Sequence, residues 1–114
     1  MWFAGIDWSD QSLDFHLRTA EGRVLATGAV RPNLEGLAAL YAQLDVPAPP
    51  DQIGIAIETA HGAWMQSLLD HGYRIYPVNP KSVDSFREAL SANGNKSDAI
   101  DCKVLAMFLV TFHP

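Results

Sequence analysis

The run WFAGID, residues 2–7, shows no polar alternation and ends on an acid, Asp7. A continuous apolar run of that length predicts a strand covered on both faces. SLDFHLRT (12–19) alternates instead, with Leu13, Phe15 and Leu17 on one face and Asp14, His16 and Arg18 on the other. That pattern predicts an antiparallel strand with one face towards solvent. Glu21-Gly22 marks a turn, and RVLATGAVRP (23–32) supplies a third strand that Pro32 stops, so the first three strands form a meander.

NLEGLAALYAQL (33–44) places Leu34, Leu37, Leu40, Tyr41 and Leu44 at helical spacing behind Asn33, a natural N-cap. A proline-rich connector, VPAPPDQ (46–52), leads into IGIAIE (53–58), a second buried strand that ends in an acid, Glu58. AWMQSLLDHG (63–72) reads as a helix stopped by Gly72, and YRIYPVN (73–79) as a strand. Strand, helix and strand make a right-handed βαβ unit with parallel strands. Pro77 lacks a backbone donor and sends the last strand to a sheet edge. A short helix follows at 80–90, then a turn at 91–95 and a last helix that begins in NKSDAIDCKVLA (95–106). The expected architecture is α/β: a mixed five-stranded sheet, built from an antiparallel meander and a βαβ unit, with helices on both faces and the first strand in the middle.

At 114 residues and 48% hydrophobic composition the chain suits one domain, 1–114, with its own core. A formal charge of -5 and a pI near 5.1 exclude a surface that grips nucleic acid by bulk positive charge. The single cysteine, Cys102, cannot form an internal disulfide, and no secretory leader is visible, so a cytoplasmic location is expected. The apolar stretch 104–112 is far short of the roughly 20 residues that span a bilayer, and no membrane partner is expected.

Asp98 and Asp101 sit ahead of that apolar stretch at a spacing of three, which puts both carboxylates on one helix face. A helix's first turn favours acids by about 0.3–1 kcal/mol each, which alone explains such a pair. Asp7 and Glu58, however, end two strands expected to be parallel neighbours, so their side chains should emerge at one sheet edge, where sites gather. Four converging carboxylates need cations to stay ionised. Hard oxygen donors suit Mg²⁺ or Mn²⁺, and two ions roughly 3.5–4 Å apart would serve phosphodiester cleavage or transfer.

The segments GIDWS (5–9), IAIETAHG (55–62), YPVNPKSVDSFREAL (76–90) and KSDAIDCKVLA (96–106) together resemble the N-terminal RuvC-like domain of the DEDD transposases, the IS110 group related to Piv-type DNA invertases. The resemblance implies an RNase H-like fold. It also implies that Asp7, Glu58, Asp98 and Asp101 are a catalytic tetrad binding Mg²⁺ or Mn²⁺, two ions in all, for cutting and rejoining DNA. Target choice by a bridge RNA, a homo-oligomer and a C-terminal domain carrying a serine nucleophile are further implications. No counterpart of that domain follows Pro114, so the chain alone is expected not to complete recombination. Cys102 stands where relatives often carry alanine, and reads as a small buried hydrophobe.

Lys96, Ser9, Thr59 and Trp8 are candidates for substrate contact, each with an ordinary alternative: a solvated lysine, a loop or cap hydroxyl, a packed ring. His61 could reach the same edge but reads better as a surface or capping residue, and Trp2 and Trp64 read as core. The last helix is apolar nearly all round and is expected to pack on another chain or on the missing domain. The rival readings are an actin-like or sugar-kinase-type ATPase, whose phosphate loop DWSDQS lacks the usual glycine, and a non-catalytic assembly or nucleic-acid docking module.

Overall fold

A computed structural model describes residues 1–58, 62–92 and 101–113. Its centre is β1 (Trp2–Trp8), flanked by antiparallel β2 (Leu13–Thr19) and parallel β4 (Ile53–Glu58); β3 (Val24–Val30) and β5 (Arg74–Val78) form the edges, giving the order β3-β2-β1-β4-β5. The mixed five-stranded sheet therefore stands as the sequence pattern predicts. Pro77 lies on edge strand β5, where its missing N–H is harmless.

Among the described residues four helices cover the sheet. Even-numbered β1 residues Ala4 and Ile6 face α1 (Leu34–Leu44) and α2 (Gly62–His71), packing with Leu37, Leu40, Leu44 and Leu68. Phe3, on the other face, packs with Val83 of α3 (Pro80–Ala92) and with Val104, Leu105 and Leu109 of α4 (Asp101–Phe112). Strand alternation divides one chain into two cores. Asn33 caps α1 by accepting from the Gly36 N–H at 2.8 Å, and Asn79 caps α3 by accepting from the Lys81 N–H at 2.8 Å. Gly72 ends α2 with φ +107°, a conformation that only glycine adopts cheaply.

The α1/α2 face is tied by Asp45. Its carboxylate meets His71 Nε2 at 2.6 Å and accepts from the Tyr73 hydroxyl at 2.7 Å, while the Tyr41 and His71 rings stack with centroids 3.9 Å apart. Burial and donation to Asp45 hold the Tyr73 hydroxyl far above its usual range.

The structure departs from the sequence pattern in particular elements. The polar face of β2 is not open: α4 lies across it, and His16 is 4% exposed. Helix α3 runs two residues past its predicted end, through the first two residues of the turn expected at 91–95, whose remaining residues lie outside the described ones. Trp2 and Trp64, each half-buried, pack against the α1/α2 core as expected. The apolar helix α4 finds most of its cover within the chain, burying Cys102, Val104, Leu105, Ala106 and Leu109; Phe112 remains exposed.

Candidate functional site

Asp7 and Glu58 stand side by side because the sheet registers them. The parallel pair Ile6 and Ile57 is the last paired step between β1 and β4, and both of those side chains enter the α1/α2 core. The next residues, Asp7 and Glu58, thus share the α3/α4 face at the carboxyl ends of neighbouring strands. Across β2 the register places Asp14 opposite Asp7.

Gly5 brings the third acid to them. Helix α4 presses on β1 so closely that a Cβ at Gly5 would overlap the Cys102 carbonyl oxygen and lie 2.6 Å from the Ala106 nitrogen. That contact, two residues before Asp7, seats the start of α4 against β1, and Asp101, its first residue, lies near enough to act on Asp7 and Glu58 electrostatically. Electrostatics register the convergence. Burial, followed by the Asp101 charge, raises the Asp7 carboxyl above its usual range, and the Trp8 N–H opposes the shift in part. Burial, then Asp7, then Asp101, raises Glu58. Arg87 of α3 acts in the opposite direction on both, and its guanidinium is ion-paired with Asp101.

Asp98, Lys96, Thr59 and His61 lie outside the described residues. Among those described, no three His, Cys, Asp or Glu side chains are grouped so that they could hold a metal ion between them. The donors present nonetheless suit a hard divalent cation: half-buried Asp7 and Glu58 and exposed Asp101 are carboxylates whose mutual repulsion a cation would relieve.

The candidate substrate residues fare differently. Ser9 serves its own turn: its Oγ accepts from the Ser12 N–H at 3.0 Å and lies 3.1 Å from the Ser12 carbonyl. Trp8 packs with the α1/α2 core, its ring 5.0 Å from that of Trp64, on the face opposite the acids. Alternation along β1 turns its ring away from the Asp7 carboxylate, which only the Trp8 backbone N–H reaches. Three contributors escaped the sequence reading. Arg87 and Asp84, whose charge also raises Glu58, are ordinary helix-surface residues by pattern, whereas Asp14 was recoverable by counting the hairpin register back from the Ser9–Ser12 turn.

His16, two residues further along the same face as Asp14, is buried beneath α4, and its Nε2 has no hydrogen-bond partner among the described residues. Burial, reinforced by the Arg18 and Lys103 charges, pushes it down to about 4. The unfolded chain takes up this proton near 6.5, so between about pH 6.5 and 4 acidification favours the unfolded state. The loss amounts to roughly 2–3 kcal/mol over that window. His16→Phe should lack this component. Urea unfolding at pH 7 and pH 4.5 checks the difference between the two proteins, and equal pH slopes would refute it.

A mixed α/β sheet covered on both faces, with acids at the carboxyl ends of its two central parallel strands, has the layout of an RNase H-like fold. The family model of the IS110-group DEDD transposases, described as a transposase, matches residues 4–114, and the chain belongs to that family. It is 34% identical over 112 residues to the assigned transposase y4uE of Sinorhizobium fredii, a match covering 96% of this chain and 31% of that protein. It is 31% identical over 113 residues to the assigned mini-circle transposase for IS117 of Streptomyces coelicolor, covering 96% and 27%. The chain thus spans a third or less of the length of these relatives. No helix among the described residues is long and apolar enough to cross a membrane.

Proposed function

We propose that residues 1–114 form a RuvC-like domain that supplies the metal-binding half of a DNA transposase site. In this reading Asp7, Glu58 and Asp101, joined by Asp98, hold Mg²⁺ or Mn²⁺. The observation that carries it is the abreast placement of Asp7 and Glu58, each raised by burial and by the other acids. Bound divalent ions would offset the negative charge that develops on the phosphate oxygens during strand cleavage.

The chain's own residues prepare that site. β1 and β4 fix two carboxylates on rigid strand ends, and Arg87 orients Asp101 through their ion pair. The DNA strand, a second domain like that of the longer relatives, a bridge RNA and further copies of the chain complete the machine in this account. Acidic overall charge fits such sharing, because the cations and partners bring the positive charge that phosphate needs. No observation favours the ATPase reading, which leaves the Asp101 carboxylate without a task.

Asp7→Asn/Glu58→Gln should respond in opposite senses without and with metal. Without metal the double variant should melt higher, since like charges abreast on neighbouring strands cost about 0.2–1 kcal/mol. With Mg²⁺ the wild type should gain stability and the variant should not. Thermal unfolding with and without Mg²⁺ reads both, and an equal Mg²⁺ gain in the two proteins would refute the site.

A further inference from the structure

Beside the acids, on the β2–β3 side, the α3/α4 face opens into a trough of about 510 Å³ that the metal site does not use. Asp14, His16, Thr27 and Ala29 line it, and Cys102 and Lys103 of α4 wall it. Helix α4 covers β2 but leaves Thr27 and Ala29 of edge strand β3 exposed, so the trough is open on that side.

We propose that this trough seats one nucleoside of the DNA strand whose phosphate lies at Asp7 and Glu58, with the base edge against His16 and the backbone near Lys103. The inference rests on the metal-site reading above and adds the place of the neighbouring sugar and base. Four features support it. The trough begins where the acids end, since Asp14 faces Asp7 across the hairpin and Cys102 follows Asp101. From β1 to β3 is two strand spacings, about 10 Å, comparable to the reach from a phosphate to the far edge of its base. Its volume falls within the roughly 300–1,000 Å³ of small-molecule sites. Finally, His16 is 96% buried on this wall, and its enclosed Nε2, without a partner among the described residues, would gain a hydrogen bond where an entering base displaces the side chains that cover it.

Lys103, exposed at the rim, is a flexible side chain that can yield to an entering base.

The test uses the 114-residue chain, Mg²⁺ and a short single-stranded oligodeoxynucleotide, read by the NMR resonances of the His16 ring and by fluorescence anisotropy. The His16 signals should shift along the same curve as binding. Ala29→Leu, which fills the trough from an exposed strand position, should weaken oligonucleotide binding at least about tenfold while leaving Mg²⁺ affinity unchanged. His16→Phe, which keeps the burial and removes the nitrogen, should weaken it in the same direction. Unmoved His16 resonances, or equal binding by Ala29→Leu, would overturn the trough, and if Mg²⁺ still bound, the metal site would stand. Oligonucleotide binding with His16 shifts but without any Mg²⁺ binding would uphold the trough and overturn the metal site. Failure to bind either probe would overturn both.

Discussion

Gly5→Ala should destabilise the chain by about 3 kcal/mol or more, roughly 10–15 °C in melting temperature. The reason is the kind of atom the new methyl group meets. At Gly5 these are the carbonyl oxygen of Cys102 and the nitrogen of Ala106, helix backbone that cannot rotate away. The whole of α4 would have to lift, and α4 buries five residues against the sheet. Gly28→Ala is the control, since its methyl would meet the Phe15 ring at 3.1 Å, a side chain with some freedom to adjust. That substitution should cost no more than about 1 kcal/mol. Because α4 carries Asp101, lifting it would also separate that acid from Asp7 and weaken cation binding. Thermal melts of the two variants decide the matter, and equal melting temperatures would show that α4 does not ride on Gly5.

The second large effect concerns chemistry. Residues 4–114 of this chain, grafted in place of the matching region of one of the longer relatives, should support excision of that relative's element. Asp7→Asn in the graft should lower excision at least about a hundredfold, because a lost cation contact removes several kcal/mol of transition-state stabilisation. Glu58→Gln should do the same, and the two together should do little more than either alone, as residues acting as a unit are not additive. Ser9→Ala should leave excision near the wild-type level, since the Ser9 hydroxyl serves its own turn. Excision is read by counting rejoined donor sites. Full excision by either acid variant would remove the carboxylates from the mechanism.

Much of this architecture was legible in the residues. WFAGID and IGIAIE carry no polar side chain before their final acids, and only central strands tolerate that; from there Asp7 and Glu58 had to emerge at one edge. Asn33 and Gly72 announced helix ends through local chemistry, which acts over three or four residues and needs no tertiary knowledge. What periodicity could not show was long-range contact. His16 alternates like a solvent-facing residue, and only the passage of α4 over β2 buries it. Gly5 looks like one small residue in an apolar run until the helix backbone is seen to press on it. Arg87 is indistinguishable by pattern from any charged position on the outside of a helix, yet it holds Asp101. Trp8 was misplaced for a simpler reason: adjacency in sequence to Asp7 means opposite faces in a strand.

In the proposed reading the β1 and β4 strand ends make one cation site. Calorimetric titration of Mn²⁺ into the wild-type chain and into Asp7→Asn/Glu58→Gln tests it most directly. The account predicts saturable binding by the wild type and at least about a hundredfold weaker binding by the variant, with a higher apo melting temperature for the variant confirming that it is folded. Equal Mn²⁺ affinity in the two proteins, with both folded, would contradict the account.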